Sequence, residues 1–472
     1  MALIGCAHER QRLLMTAAHA ATPSHGNFLD GFFDELRAAE YARLDKDDQA
    51  YLDYTGSGLY AERQITSHSR RLRSSVLGNP HSENGPSLHS TALINQTRTQ
   101  LLRFVDASPD EYTVIFVANT SAAIKLVAES FPFYSESGLV LSADNHNSMN
   151  GVREFARARN ASVDYIPLDE DLRLYRAKET LAKSGGAKGG LFGFPAQSNF
   201  SGVRHSLDLI ETAQRLGYAV LLDAAAFLPT NRMSLARHHP DFVTLSIYKI
   251  TGYPTGVGAL IARRDSLRKL RRPWFAGGTV EYASVQNETH LLADRAEGFE
   301  DGTPAFIDIA AVGDGLALLD EIGMDRIGAH VAGHTMRLVN ELNSLRRSDG
   351  SRLVRIYGPK NCRQRGATVA FNVLSRSGHA IPFTRVVERA RNEGVSLRGG
   401  CFCNPGASEA AFQFPRDAAR ACLQDASSDF TIERFSKCLG PSFAVGAVRA
   451  SMGIATNDRD IDRAISIVAS FA

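Results

Sequence analysis

The chain has 472 residues, which is too long for one small domain and predicts two or three folded units. Apolar residues make up 44 % and charged residues 22 %, as in globular proteins, and this excludes wholesale disorder. Lysine plus arginine is 53 and aspartate plus glutamate is 51, so the formal net charge is +2. That balance argues against a protein built mainly to hold nucleic acid or an anionic membrane.

Cysteine content and hydropathy narrow the class of protein further. The chain has 6 cysteines, too few for a disulfide scaffold, and only Cys401 and Cys403 lie close together. No run of about 18 apolar residues could form a membrane span. Residues 1–15 lack the long apolar core of a signal peptide. The sequence therefore predicts a cytoplasmic protein without a membrane or nucleic-acid partner.

The first half of the chain has the pattern of an α/β protein. Residues 29–44 are predicted to be helical. From about residue 90 to 270, short apolar runs alternate with amphipathic helical stretches, which indicates a buried, mainly parallel sheet. The predicted strands are residues 113–117, 138–142, 190–194, 219–222, 242–247 and 257–261.

After about residue 350 the pattern changes to that of a second, smaller α/β unit. A closing helix carries Ile461, Ile465 and Val468 on one face, and Thr456 or Asn457 is its expected N-cap. The remaining predicted elements are strands at 368–374, 395–398 and 448–452 and a helix at 383–392. We predict an N-terminal helical segment (1–50) packed on the small domain, a large domain (51–345) and a small C-terminal domain (346–472).

The strongest chemical signal is a lysine directly after a predicted strand. Lys249 stands in Ser246-Ile-Tyr-Lys-Ile-Thr-Gly-Tyr-Pro-Thr-Gly-Val-Gly258, where the carboxyl edge of a sheet would meet a crevice. A lysine there can form a Schiff base with an aldehyde if its pKa is lowered. By itself the motif is weak, because most lysines at strand ends are merely solvated.

Three further features follow other predicted strands. Asp223 ends one strand and could pair with a protonated pyridine nitrogen. Thr120 and Ser121 open a helix and could bind a phosphate with their hydroxyls and backbone N–H groups. His146 follows another strand and could stack on a flat ring. A salt bridge, a helix cap and a loop histidine are each the commoner explanation, but their joint order favours a cofactor site.

These segments resemble a known family. The chain is similar to fold-type I pyridoxal 5′-phosphate (PLP) enzymes of the class V aminotransferase group, in the cysteine desulfurase branch, and above all to the desulfurase part of molybdenum cofactor sulfurases. The resembling motifs are collinear over about residues 50 to 470. They are Tyr51-Leu-Asp-Tyr-Thr-Gly-Ser57, Asn79-Pro-His-Ser82, Phe194-Pro-Ala-Gln-Ser-Asn-Phe-Ser-Gly202, Leu221-Leu-Asp-Ala-Ala225, Tyr248-Lys-Ile-Thr-Gly-Tyr-Pro-Thr-Gly-Val-Gly-Ala259, Gly277-Gly-Thr279, Glu300-Asp-Gly-Thr303, Gly400-Cys-Phe-Cys-Asn-Pro-Gly406 and Val448-Arg-Ala-Ser-Met-Gly453.

The resemblance implies a large domain with a mainly parallel sheet that binds PLP, and a small domain that carries a cysteine loop. It also implies roles for particular residues. Lys249 would hold the cofactor and later move the substrate's Cα proton, with Asp223 on the pyridinium nitrogen and His146 on the ring face. The other implied cofactor-binding residues are Thr120, Ser121, Ser246, Tyr248 and, across a homodimer interface, Thr279. The implied substrate-binding residues are Asn199, Arg398 and Arg449.

The cysteine pair indicates the reaction that the resemblance implies. In the resembling family a loop cysteine takes the sulfur of L-cysteine as a persulfide and leaves alanine. Cys403 matches the nucleophile's position, and Cys401 is the second candidate. Glycines at 399, 400 and 406 indicate a loop that can bring a thiolate to the substrate. No second Cys or His pair stands at ligand spacing, so no metal site is predicted.

Several alternatives stay open. The same cofactor could serve C–S lysis, β-elimination, transamination or a biosynthetic step on another amino acid, or the chain could be a catalytically silent dimeric scaffold. Ala226 stands where related desulfurases often carry glutamine or histidine, and Ser408 where molybdenum cofactor sulfurases typically carry another cysteine. The resemblance ends before the C-terminal cofactor-binding domain of eukaryotic sulfurases, so the sulfur acceptor is unknown.

Overall fold

The computed structural model describes residues 25–184, 189–424, 430–440 and 443–472. Residues 1–15, for which the sequence predicts no signal peptide, lie outside these ranges. Within them, no helix combines the length and the apolar character that crossing a bilayer requires.

Strands and helices alternate through most of the described chain. The strands are β1 (Ala50–Tyr51), β2 (Tyr112–Val117), β3 (Gly138–Ser142), β4 (Ser162–Ile166), β5 (Leu191–Pro195), β6 (Ala219–Asp223), β7 (Phe242–Ser246), β8 (Gly258–Arg263), β9 (Val280–Ser284), β10 (Thr289–Leu292), β11 (Val354–Tyr357), β12 (Thr368–Val373), β13 (Val395–Ser396), β14 (Arg398–Gly400) and β15 (Ala447–Ser451). The helices are α1 (His25–Glu40), α2 (Arg43–Lys46), α3 (Glu62–Ser74), α4 (Gly85–Phe104), α5 (Thr120–Ser130), α6 (Asn147–Asn150), α7 (Val152–Ala158), α8 (Ala177–Lys183), α9 (Asp208–Arg215), α10 (Leu235–His238), α11 (Ile247–Ile250), α12 (Arg264–Leu267), α13 (Phe306–Ile322), α14 (Met324–Ser344), α15 (Phe383–Asn392), α16 (Pro405–Phe412), α17 (Arg416–Gln424), α18 (Ile432–Leu439) and α19 (Asp458–Ala469).

A seven-stranded sheet forms the centre of the large unit, in the order β2-β8-β7-β6-β5-β3-β4. β8 is antiparallel to both of its neighbours and the other strands run parallel. Leu139 and Leu141 pack in the apolar cluster on one face of the sheet, whereas Val140 packs in the cluster on the other. Because both faces are covered, the strands are continuously apolar, and the predicted mainly parallel α/β sheet is confirmed.

The sequence missed the strand at the edge of this sheet. Among the described strands β4 pairs only with β3, its first residue Ser162 is exposed, and Asp164 lies in its middle. A half-exposed edge strand lacks the continuous apolar run by which the interior strands were found. The β9–β10 hairpin is also largely exposed and gave no such signal either.

The C-terminal unit contains an antiparallel four-stranded sheet in the order β11-β12-β15-β14. The strand predicted at 395–398 divides into two elements: β13 pairs with β1, whereas β14 pairs with β15. The helix predicted at 383–392 is α15, and Asn457 caps α19 by accepting a hydrogen bond from the Asp460 backbone N–H at 3.1 Å.

The N-terminal segment contacts both units. Arg37 on α1 bonds Asp460 of α19 at 2.6 Å and the Ala455 carbonyl at 2.6 Å. Phe33 stacks on His330 of α14 with ring centroids 3.8 Å apart. The helix that the sequence predicts over 29–44 ends at Glu40, and the short α2 follows it. The division of the chain at residues 50 and 345 stays a prediction.

A disulfide that the sequence did not predict joins Cys422 of α17 to Cys438 of α18. Apolar packing holds these two helices only weakly, because α17 has no buried residue and α18 has one, Leu439. The cross-link thus joins two helices that bury few of their own residues.

Candidate active site

The carboxyl ends of the parallel strands open into a cavity of about 230 Å³. It is lined by Asn119, Thr120, Ser121, His146, Ser148, Pro195, Gln197, Asn199, Asp223, Ala225, Ala226, Ser246, Tyr248 and Lys249. Each of these residues lies at the end of β2, β3, β5, β6 or β7 or just beyond it, at the edge where ligands bind in open α/β sheets. Eight of the residues singled out from the sequence thus meet in one place.

Lys249 lies in the short helix α11 directly after β7 and is half-buried. Removal of its amine from water lowers its pKa, the Asp223 carboxylate opposes this, and the cationic Arg449 lowers the pKa further. The outcome is a pKa below the ordinary value, which favours the neutral amine. A neutral amine is the form that bonds to a carbonyl carbon or accepts a proton.

Asp223 is the last residue of β6 and is buried. Its Oδ1 accepts a hydrogen bond from the Ala225 backbone N–H at 2.9 Å. Within the described chain, Oδ2 has no hydrogen-bond donor. A buried carboxylate oxygen that lines a cavity is suited to a cationic or N–H group of a ligand.

His146 reaches the cavity from the loop after β3. Its Nδ1 accepts a hydrogen bond from the Ser148 backbone N–H at 3.2 Å, which assigns the ring proton to Nε2. Burial lowers the pKa of His146, so a neutral imidazole is favoured. Ser148 Oγ lies 3.1 Å from His146 Nδ1 and also bonds the hydroxyl of Ser121.

Hydroxyl and backbone N–H groups gather at the N-terminus of α5. Thr120 Oγ1 lies 2.8 Å from Ser246 Oγ, which also accepts from the Thr120 backbone N–H at 2.9 Å. Asn119 caps the helix through the Ala122 N–H. These donors and the positive end of the helix dipole suit an anion such as a phosphate. Tyr248 lines the same cavity, and burial raises the pKa of its phenol, which therefore stays protonated.

Two arginines from the small unit share one carboxylate beside the cavity. Asp53 accepts from Arg449 at 2.9 Å and from Arg398 at 2.6 Å. Arg449 has 3 % of its side chain exposed and Arg398 has 48 %, so only the first is desolvated. The hydrogen bond with Asp53 raises the pKa of Arg398, whereas burial lowers that of Arg449.

The segment that carries Asp53 reaches these arginines through strand pairing. β1 lies parallel to β13, and the Ser451 backbone N–H donates to the Leu52 carbonyl at 2.7 Å. Asp53 forms a bridge with Ser451 on β15, two residues beyond Arg449. The motif at residues 51–57 therefore places the Asp53 carboxylate beside β14 and β15, the strands that carry Arg398 and Arg449.

The two cysteines of the loop after β14 differ in environment. Cys401 is half-buried, its Sγ donates to the Val445 carbonyl at 3.2 Å, and burial raises the pKa of its thiol. Cys403 is exposed, and its charge when ionised would raise the pKa of both Lys249 and Arg398. Cys403 is therefore the more reactive thiol of the pair.

Thr279 lies apart from the cavity. It is fully buried in a turn, where its hydroxyl donates to the Ala276 carbonyl at 2.8 Å. The sequence analysis did not single out Asp53, Ser148 and Asn404, which the structure places on or beside the residues of the site. Asp53 and Asn404 lie inside recognised motifs, but nothing in the sequence indicates which side chains they contact.

Comparison with known proteins agrees with this arrangement. The family model "Aminotransferase class-V" matches residues 50–464. A molybdenum cofactor sulfurase of Arabidopsis thaliana is 32 % identical over 93 % of this chain and 58 % of its own length. One of Bos taurus is 36 % identical over 80 % of this chain and 45 % of its own length. The chain thus spans about half the length of these relatives.

A solved structure with the same fold is the apo cysteine desulfurase of Thermococcus onnurineus NA1. It superposes with a TM-score of 0.77 at 20 % identity, over 96 % of this chain and 99 % of that one. The fold-type I architecture predicted from the sequence is thereby confirmed.

Proposed function

The chain belongs to the aminotransferase class V family, and we propose that it is a PLP-dependent cysteine desulfurase. In this proposal L-cysteine and the Cys403 thiol give L-alanine and a Cys403 persulfide, which passes its sulfur to an acceptor. The observation that carries the proposal is that Lys249 and Asp223 line one cavity, with the exposed thiol of Cys403 near enough for its charge to act on Lys249.

The residues of the cavity fit PLP. Lys249 would bond its aldehyde carbon, and the oxygen of Asp223 without a donor suits its pyridinium N–H. The neutral ring of His146 suits the cofactor's flat face, and the hydroxyls of Thr120 and Ser246 with the N-terminus of α5 suit its phosphate. When bound, PLP supplies an electron sink for the bonds at the substrate's Cα.

Lys249 is proposed to move the proton at the substrate's Cα. Its lowered pKa favours the free amine, which is the form that accepts a proton. Because Lys249 follows β7 in a short helix whose neighbours Ile247 and Ile250 are buried, its backbone is held in place. The amine can therefore pick up a proton and return it within one cavity.

Arg449 is proposed to bind the carboxylate of the amino acid. Its guanidinium is buried beside the cavity, where it donates to the Asn199 carbonyl at 3.1 Å and to Asp53. Among the described residues its Nε is buried without a hydrogen-bond partner. A carboxylate is the group that satisfies such a donor with both charge and geometry. Arg398, half exposed, would close the site from its solvent side.

Cys403 is proposed to attack the sulfur of the substrate. The Cβ–S bond of L-cysteine breaks as an S–S bond forms between the substrate's sulfur and the Sγ of Cys403. Two protons, from the substrate thiol and the Cys403 thiol, end on Cβ and on the persulfide or solvent, so the reaction needs no external oxidant or reductant. Cys401 cannot replace Cys403 without leaving its bond to Val445.

The experiment mixes cofactor-loaded protein with L-cysteine and a thiol reductant and measures alanine. We expect catalytic alanine formation, which is lost in Cys403→Ala while the cofactor's visible absorbance remains. Cys401→Ala is the matched control, since it removes a thiol from the same loop. No alanine from loaded wild-type protein would overturn the proposal.

The same mixture separates the alternative activities. C–S lysis or β-elimination would give pyruvate and would not need Cys403. Transamination would give a keto acid. A silent scaffold would show no absorbance from bound cofactor, and Lys249→Ala would not change its spectrum.

A homodimer is part of the proposal. Thr279 lies next to the β9–β10 hairpin, whose surroundings expose a set of large apolar side chains. The set comprises Trp274, Phe275, Tyr282, Val285 and Leu291. A second copy of the chain would cover this surface. For Thr279 to reach its partner's phosphate site, the turn that buries its hydroxyl against Ala276 would have to open on dimerisation. Sedimentation of the wild type and of Val285→Lys tests this, because Val285 is the most exposed of the five, at 95 %. A monomeric wild type would refute the dimer.

The acceptor and the location are proposals as well. The names of the sulfurase relatives make the molybdenum cofactor the first acceptor to test, with persulfide loss from Cys403 as the readout. We propose the cytoplasm as the location. The Cys422–Cys438 disulfide stands against this proposal, because cytosolic thiol pools keep most cysteines reduced. Mass spectrometry of the protein alkylated in intact cells would show the two thiols free if the location is right.

A further inference from the structure

The nucleophile loop, residues 401–404, is fastened to the large unit by hydrogen bonds on both sides of Cys403. The Cys403 carbonyl accepts from the Asn147 backbone N–H at 2.7 Å. The Phe402 carbonyl accepts from Asn199 Nδ2, also at 2.7 Å. Asn404 Nδ2 donates to the Asp144 carbonyl at 2.6 Å. The loop is therefore attached to the segments that follow β3 and β5, which also carry His146 and line the cavity.

Asn404 is the best connected of these residues. Its side chain is buried, with 0 % exposure. Besides Asp144, its Nδ2 donates to Asn199 Oδ1 at 2.8 Å, while its Oδ1 accepts from the Ala407 N–H at 3.1 Å and caps α16. One amide thus caps the helix of its own unit and binds two residues of the other. Asn199 uses both of its own polar atoms on the loop.

The backbone of the loop needs such support. Phe402 has φ 56° and Cys403 has φ 54°, so two successive residues with side chains are left-handed. This conformation costs about 1–2 kcal/mol per residue and persists where the surroundings hold it. Phe402 is held further by Phe200, with ring centroids 5.3 Å apart, and by the guanidinium of Arg449, 4.7 Å above its ring.

We propose that Asn404 is a positioning residue that, through Asn199 and the Asp144 carbonyl, fixes the Cys403 thiol in front of the cavity. Asn404 touches neither substrate nor cofactor in this role. Its two donated hydrogen bonds hold the strained turn of the nucleophile loop against the large unit. The expected effect on kcat rests on the proposed function, whereas the expected effect on the accessibility of the Cys403 thiol does not.

The key variant is Asn404→Asp, which has nearly the same shape. An aspartate still accepts from the Ala407 N–H and caps α16. It cannot donate to Asp144 or Asn199, and it places a negative charge against two oxygens. Asn404→Ser is the second variant, since serine also caps the helix but is too short to reach Asp144. Ser408→Ala is the matched control: Ser408 is buried on α16 and bonds the Asn404 carbonyl at 3.0 Å, within its own unit.

We expect kcat for alanine formation to fall by about 10²-fold in Asn404→Asp, the cost typical of a misplaced reacting group. The KM for L-cysteine and the cofactor's absorbance should change less than threefold. Alkylation of Cys403 by iodoacetamide, followed by peptide mass spectrometry, should become at least threefold faster in Asn404→Ser, which releases the loop without placing a charge beside the thiol. Ser408→Ala should leave all of these within twofold of the wild type.

Unchanged kcat and unchanged alkylation in both Asn404 variants would overturn the inference. Equal effects in Ser408→Ala would also overturn it, since they would point to the general stability of α16. The alkylation rate does not depend on desulfuration. If the wild type formed no alanine, the proposed function would fail, while faster alkylation in Asn404→Ser would still establish that Asn404 holds the loop.

Discussion

Asp53 accepts a hydrogen bond from the guanidinium of Arg449 at 2.9 Å, although 396 residues separate the two in the chain. The same carboxylate also binds Arg398. Together the three side chains carry one net positive charge, which matches the single carboxylate of an amino acid. Asp53 therefore sets both the orientation and the charge of the proposed carboxylate site.

Asp53→Asn should weaken the binding of L-cysteine. The variant leaves two cationic side chains without their anion, and Arg398, at 48 % exposure, is free to turn into solvent. We expect KM for L-cysteine to rise about tenfold, equivalent to about 1.4 kcal/mol, with a smaller change in kcat. Steady-state kinetics measure this. A lower KM would instead mean that Asp53 competes with the substrate for Arg449.

The two cysteines of the nucleophile loop should differ in reactivity. Burial raises the pKa of Cys401, so less of it is thiolate at neutral pH, whereas Cys403 is exposed. We expect iodoacetamide to modify Cys403 at least tenfold faster at pH 7.5, with the gap narrowing as the pH rises and Cys401 ionises. Peptide mass spectrometry over time gives both rates. Equal rates at pH 7.5 would contradict the assignment of Cys403 as nucleophile.

The elements that the sequence predicted are those with a strong local signal. The interior strands of the large sheet were found because both of their faces are buried, as for Leu139 and Val140. The edge strand β4 was missed because its exposed Ser162 breaks that pattern. The predicted strand at 395–398 was really two, because Leu397 marks the change of partner from β1 to β15, which no local pattern encodes.

The residues of the candidate site likewise divide into those with a local sequence signal and those that depend on distant partners. Lys249 and Asp223 could be predicted, since each follows a buried strand and the ends of parallel strands meet at one edge. Asp53 and Asn404 could not, because their roles depend on partners in distant segments, Arg449 and Asn199. The sequence also interpreted Gly406 as a source of loop mobility, whereas its place in the structure is a close contact between backbones.

His330 should make the fold sensitive to acid. Burial lowers its pKa to about 3 from the ordinary 6.5, so the folded chain keeps it neutral where the unfolded chain protonates it. Between these values the unfolded state binds more protons, and stability falls as the pH falls, by about 1.4 kcal/mol per pH unit.

The variant His330→Phe keeps a ring against Phe33 but cannot take up a proton. From pH 6.5 to pH 5 we expect the wild type to lose about 2 kcal/mol of unfolding free energy that the variant retains. Urea denaturation at both pH values measures the difference. His379→Phe, at an exposed histidine, should lose as much as the wild type. If His330→Phe loses as much too, His330 is not the acid-sensitive group.

Gly406→Ala should disturb the attachment of the nucleophile loop more than its size suggests. A Cβ at residue 406 would lie 2.1 Å from the Ala143 carbonyl oxygen, a backbone atom on the segment after β3 that cannot turn aside. The start of α16 must then move away from the large unit, and Cys403 moves with it. We expect a loss of about 1–3 kcal/mol in unfolding free energy, as for other overpacked sites, and a fall in kcat without loss of the cofactor's absorbance.

Gly333→Ala is the control, because Gly333 is exposed on α14 and its Cβ would meet nothing within 4 Å. Alanine should therefore stabilise that helix by up to about 1 kcal/mol. Equal stability and equal kcat in the two variants would mean that the loop does not depend on this contact.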